Sequence, residues 1–122
     1  MNQSEHVKWV EDYIRAQELG GVDADHPLWW AIARFFDLGE TDPEACWQAI
    51  LEIVQRQPSE QILGVLSAGP LEDLIEEHGL QFIDRIEDEA RKSPVFRRML
   101  RSVWESSSDD VWARVQRASE LS

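Results

Sequence analysis

An all-α fold is predicted by three features of this 122-residue sequence. Apolar residues recur at i, i+3, i+4, i+7 in one segment after another, the spacing that lines one face of a helix. Helix punctuation separates the segments, with Ser, Thr or Asp before a run, Pro at its start and Gly after its end. No run shows the period-2 alternation between turns that marks a strand. The expected architecture is a single domain, 1–122, folded as a compact orthogonal bundle of about seven to eight short helices. α-Solenoid-like helical hairpins are the alternative, because Pro43, Pro70 and Pro94 open helices 27 and 24 residues apart. That spacing is short for helical repeats, and the segments are not alike.

The elements follow in order. Residues 5–19 read as a first helix capped by Ser4, with Val7, Val10 and Ile14 on one side and Trp9 and Tyr13 extending the stripe. Gly20-Gly21 ends it, and 22–26 form an acidic loop; together 1–26 make the N-terminal part. Pro27 opens the second helix, whose run LWWAIARFFDL carries only Arg34 and Asp37 as charges. A helix apolar almost all round is normally the one others pack against. Thr41 or Asp42 caps the third, Pro43 sits in its first turn, and Trp47, Ile50, Leu51 and Val54 form its apolar face. Pro58 stops it and Ser59 caps the fourth, which buries Ile62, Leu63, Val65 and Leu66. Gly69-Pro70 then stops one helix and starts the next. That fifth helix carries Leu71, Leu74, Ile75 and His78, and Gly79 ends it. A sixth covers 80–92 with Phe82, Ile83, Ile86 and Ala90 inward. Ser93-Pro94 starts a seventh with Phe96, Met99, Leu100 and Val103, completing the core helices of 27–105. After the Ser106-Ser107-Ser108 linker, Ser108 caps a C-terminal helix with Val111, Trp112 and Val115, in 106–122.

Composition bounds the function. Asp and Glu number 24 against 12 Lys and Arg, a formal charge of −12, and 43% of residues are hydrophobic. A chain this acidic is expected to bind neither nucleic acid nor anionic lipid directly, since both need a basic surface. No apolar stretch approaches the roughly 20 residues of a membrane span. The first twenty residues are too charged for a secretory signal. With Cys46 as the single cysteine, no internal disulfide can form. A reducing cytoplasm is the expected location.

Three segments carry a resemblance: LWWAIARFFDLGETDPEACWQAILEIV (28–54), LGVLSAGPLEDLIEEHG (63–79) and FRRMLRSVW (96–104). The chain resembles, over about 28–115, a family of small bacterial proteins of unknown function. The resemblance implies an all-helical bacterial cytoplasmic domain and assigns no activity and no catalytic residue.

Catalytic and metal chemistries find little footing. A di-iron bundle needs Glu-x-x-His on a helix, and Ile75 stands three before His78. Asp23, Asp25 and His26 offer ligands to a cation, but a solvated loop ahead of Pro27 is the simpler reading. One cysteine and three scattered histidines do not make a zinc site. His78, on an apolar stripe, reads as a half-buried structural histidine, and Cys46, beside Glu44, as an inert helix residue. No nucleophile elbow, Walker pattern or dinucleotide fingerprint occurs. No catalytic residue, metal or cofactor is expected.

Two features point to binding instead. Between 70 and 89 the acids Glu72, Asp73, Glu76, Glu77, Asp84, Glu87, Asp88 and Glu89 face one base, Arg85. Glu72/Glu76 and Asp73/Glu77 are like-charge i, i+4 pairs, which cost a helix a few tenths of a kcal/mol each. The plain reading is a solvated acidic face. The sharper one is a patch that steers a basic partner. A basic cluster follows, Arg91, Lys92, Arg97, Arg98 and Arg101, placed to pair internally or to meet an acidic surface. The six tryptophans are mostly core in expectation, Trp47, Trp104 and Trp112 among them. Trp29 and Trp30 point about 100° apart, so one can lie at the core's edge as an interface anchor. The expected function is therefore a non-catalytic interaction protein for a basic protein surface, such as an inhibitor or immunity-type neutraliser of a nucleic-acid-handling enzyme. Its binding candidates are Glu72, Asp73, Glu76, Glu77, Asp84, Glu87, Asp88, Trp29 and Trp30. A small carboxylate-based enzyme or metal-binding helical domain is the alternative, and an oligomerisation or scaffold domain a third.

Overall fold

The computed structural model describes residues 2–120, and among them every regular element is helical. The chain forms two compact units, 1–62 and 63–122. Six continuous helical runs occur among the described residues, where about seven to eight were expected.

In the first unit, α1 (Gln3–Glu18) starts earlier than the sequence suggested. Asn2, not Ser4, is its cap: the Asn2 side-chain oxygen accepts from the Glu5 N–H at 2.9 Å. Gly20 and Gly21 end the helix with φ of 85° and 93°, a left-handed conformation open to glycine at no steric cost. α2 (Trp29–Leu38) starts two residues after Pro27. A turn intervenes, in which His26 Nδ1 accepts from the Leu28 N–H and the His26 carbonyl from the Trp29 N–H, both at 3.0 Å. In α3 (Pro43–Gln55) Asp42 is the cap, accepting from the Ala45 N–H at 3.1 Å. α1 packs on both α2 and α3. Trp9 is fully buried and donates its indole N–H to the Ala31 carbonyl at 2.8 Å. Phe35 lies against the Trp9 and Tyr13 rings at 4.7 and 5.2 Å between centroids. Burial pushes the Tyr13 hydroxyl well above the ordinary tyrosine range.

The expectation that α2 is the central buried helix fails. Only Ala31 and Phe35 are buried on it, and Phe36 is largely exposed. The centre is supplied by α1 and α3, with Val10, Tyr13, Trp47, Ile50 and Ile53 among the inward residues. One i, i+4 stripe of α2 suffices to close over them.

The path through 60–92 also departs from the sequence reading. α4 (Glu60–Leu66), capped by Ser59, runs without interruption into a π turn, Ser67–Leu71, and then into α5 (Glu72–Lys92). Gly69-Pro70 was expected to stop the helix. Pro70 has no N–H to give, and in an α-helix its ring would strike the carbonyl four residues back. The wider π turn takes up the proline, and the Glu72 N–H reaches back to the Ser67 carbonyl. The Ser67 hydroxyl, fully buried, bonds the Leu63 carbonyl at 3.0 Å. Gly79 does not end the helix either. α5 bends at His78 (φ −135°, ψ 25°) and continues.

In the second unit α5 packs against α6 (Pro94–Leu100) and α7 (Asp109–Ser119), which also pack on each other. Ser93 caps α6 and Ser108 caps α7, as their sequence positions predicted. Phe82, Ile83, Ile86, Phe96, Leu100, Val111 and Val115 fill the core. Gly79 is buried because this packing is close. A Cβ there would lie 2.6 Å from Ser107 Oγ and 2.8 Å from Val111 Cγ1.

Gly79→Ala is expected to destabilise the fold. Overpacking costs about 1–3 kcal/mol, against about 1 kcal/mol regained from helix propensity. A melting temperature lower by roughly 3–6 °C is the expected result of a thermal scan. Adding Ser107→Gly, where φ is +69°, should restore part of the loss; an unchanged melt for Gly79→Ala alone would show that the neighbours yield freely.

Candidate functional site

The nine residues singled out from the sequence divide between the units. Trp29 and Trp30 belong to the first and the seven carboxylates to the second, along α5. Both tryptophans are half-buried.

The acidic helix is not uniform. Towards its C-terminal end the carboxylates are neutralised from within the unit. Arg114 of α7 donates to Glu87 through Nε at 2.9 Å and Nη2 at 2.5 Å, and to Asp84 at 2.6 Å. Asp88 pairs with Arg91 at 2.7 Å. The Arg114 hydrogen bonds hold the Glu87 carboxyl below its usual range, against burial, with help from the Arg114 and Arg91 charges. The sequence did not single out Arg114, which lies 30 residues from Asp84; no local spacing signals so distant a pair.

The basic cluster is also largely used internally. Arg97 donates to the Ala90 carbonyl at 2.6 Å, and Arg101 to the Ser119 carbonyl at 2.9 Å. Both cap the carbonyl ends of helices, α5 and α7, where a cation also complements the dipole.

The first turns of α5 differ. Glu72 accepts from the Trp104 N–H at 3.0 Å and Glu76 from the Ser107 N–H at 2.7 Å. These two carboxylates hold the segment between α6 and α7 against the helix. Asp73 and Glu77 have no hydrogen bond or ion pair among the described residues. Partial burial, then the neighbouring charges of Glu77 and Glu72, push the Asp73 carboxyl above its ordinary value.

Trp104 corrects a further expectation. Its apolar segment predicts a core position, yet it is 78% exposed. α6 ends at Leu100, and beyond it only Val103 turns inward. Trp104 overhangs a groove of about 430 Å³ lined by Glu72, Asp73, Glu76, Glu105 and Ser106. The Ser106 Oγ at this groove is buried with no hydrogen-bond partner among the described residues. The adjoining serines were the available signal, because a linker starting at Ser106 leaves Trp104 little helix to pack with. Of the other tryptophans, Trp9 and Trp47 are buried and Trp112 is half-buried.

His78 is half-buried at the α5 bend, and Cys46 is buried with Sγ 3.9 Å from the Phe35 carbonyl. No group of three or more His, Cys, Asp or Glu residues among the described residues is placed to hold a metal ion. No helix among them is long and apolar enough to cross a membrane.

Two pH dependences follow, of opposite sign. Glu87 has a lowered value in the fold, so its contribution is present above its unfolded value and lost as pH falls through the folded one. Arg114→Leu should therefore lower the melting temperature most at neutral pH, with the gap to wild type closing as pH falls through the carboxylate range. Asp73 has a raised value, so its ionised form opposes folding, and this is relieved as pH falls. Asp73→Asn should stabilise at neutral pH by about 0.2–0.5 kcal/mol, with the gain vanishing in acid. Denaturant titrations across pH check both; trends of equal sign would contradict the two environments.

No curated protein and no solved structure matches the chain. A family match spans residues 18–121, and the chain belongs to the Family of unknown function (DUF6869).

Proposed function

We propose that this chain is a non-catalytic interaction protein that receives a basic segment of a partner protein at the start of α5. One observation carries the reading: Asp73 is left without a cationic partner in the groove under a tryptophan that is 78% exposed, and Glu77, one turn further along α5, adds a second unpaired charge. Carboxylates attract Lys or Arg over distance, and an indole face binds the same cations at contact. Tryptophan is also the residue most often found at the energetic centre of interfaces. Asp84, Glu87 and Asp88, already paired, contribute less, so the candidate set narrows to Glu72, Asp73, Glu76, Glu77 and Trp104. Trp29 and Trp30 are not needed for this reading.

The sharpest form of the proposal is an inhibitor or immunity-type neutraliser of a nucleic-acid-handling enzyme in the bacterial cytoplasm. The carboxylates would take the place of backbone phosphates on the enzyme's basic surface.

Trp104→Ala and the pair Asp73→Asn/Glu77→Gln are expected to fold normally, Trp104→Ala within about 0.5 kcal/mol of wild type. Both should lose partners that the tagged wild-type chain captures. Those partners should be basic, released by salt, and displaced by added DNA. Capture unchanged in the variants, or a salt-insensitive partner set without basic proteins, would overturn the reading.

A further inference from the structure

The first unit carries a feature that this reading does not use. In a chain with twice as many acids as bases, Arg34 is half-buried and gives no hydrogen bond to any acceptor among the described residues. Its Cζ lies instead over two indoles, 5.2 Å from the Trp30 centroid and 6.0 Å from that of Trp9, at cation–π distance. A cation–π contact uses the charge of a guanidinium and leaves N–H donors for an acceptor.

That guanidinium lines a groove of about 550 Å³, a size usual for small-ligand sites. Lys8 and Arg15 add cationic charge, while Pro27, Leu28 and Trp30 give it an apolar wall. The opposing carboxylate, Asp12, is already engaged. It is 6% exposed and accepts from the Trp30 indole N–H at 2.9 Å and from Lys8 at 3.0 Å, with Arg15 at 3.9 Å. Burial raises the Asp12 value, but those hydrogen bonds and charges outweigh it and keep the group ionised. Asp12 thus fixes Trp30 in the groove wall. Glu5 is the other carboxylate at the lining. α2 also begins here without a side-chain cap and without an acidic residue in its first turn. The first-turn positions of the helix therefore add no negative charge to the groove.

We propose that this groove binds a small organic anion, its oxyanion head on the Arg34 edge and its flat apolar body against Trp30, Pro27 and Leu28. A carboxylate and a phosphate both match a planar guanidinium fork, and the test distinguishes them.

The full chain would be titrated with benzoate, phenyl phosphate and inorganic phosphate while the Trp30 indole N–H is followed by NMR, assigned with Trp30→Phe. Saturable shifts with benzoate or phenyl phosphate support the site, and the tighter of the two names the head group. Inorganic phosphate should bind more weakly than phenyl phosphate, since it lacks the body. Arg34→Gln should weaken binding by about tenfold or more. Glu5→Gln, an exposed position that leaves the fold untouched, should tighten it, and this arm stands even if the Arg34 variant unfolds. Shifts that rise linearly for every anion, or saturable binding unchanged by Glu5→Gln and by a folded Arg34→Gln, would overturn the proposal.

Discussion

The guanidinium of Arg114 is shared between Asp84 and Glu87, and the character of the second unit depends on where that cation lies. The chain has half as many basic as acidic groups, so its cations cannot offset every carboxylate. Placing Arg114 and Arg91 on the later turns of α5 leaves the first turns uncompensated. Arg97 and Arg101 are directed to backbone carbonyls rather than to acids. Part of the chain's acidic excess is thereby left on the first two turns of α5. There the carboxylates either tie down a loop, as Glu72 and Glu76 do, or face water, as Asp73 and Glu77 do.

The first unit follows the same logic with the sign reversed. Asp12 is buried and draws Lys8, Arg15 and the Trp30 indole to itself. Its charge is spent on organising the groove, and the cation left over is Arg34. Aromatic faces hold Arg34 where another acid would otherwise be expected. Both candidate surfaces therefore combine a tryptophan with charges of one sign that the fold leaves unanswered, anionic in the second unit and cationic in the first.

Local features were legible in the sequence, and features that depend on distant packing were not. Ser93 and Ser108 cap as predicted, and of the two candidates Thr41 and Asp42 it is Asp42 that caps, because a cap needs only its own side chain and the next three N–H groups. The all-α class followed from apolar spacing for the same reason. Pro70 and Gly79 misled because each is a helix breaker by propensity but lies where packing dictates otherwise. Pro70 is absorbed by a π turn, and Gly79 makes room for Ser107 and Val111. The acidic face of α5 was visible as a run of charge, but its division by Arg114 was not, since the partner lies on another helix. Trp104 is apolar enough for a core, but α6 ends at Leu100 and leaves it outside.

The π turn at Ser67–Leu71 also constrains how the chain can change length. It houses one more residue per turn than an α-helix without interrupting the helical path. Losing one residue there would swing every side chain of α5 by about 100° about its axis. Ile75, Phe82, Ile83 and Ile86 would leave the interior together, and the carboxylates would turn into it. Within this five-residue window, gaps and insertions are therefore far less tolerable than point changes, and register rather than composition is what must be kept.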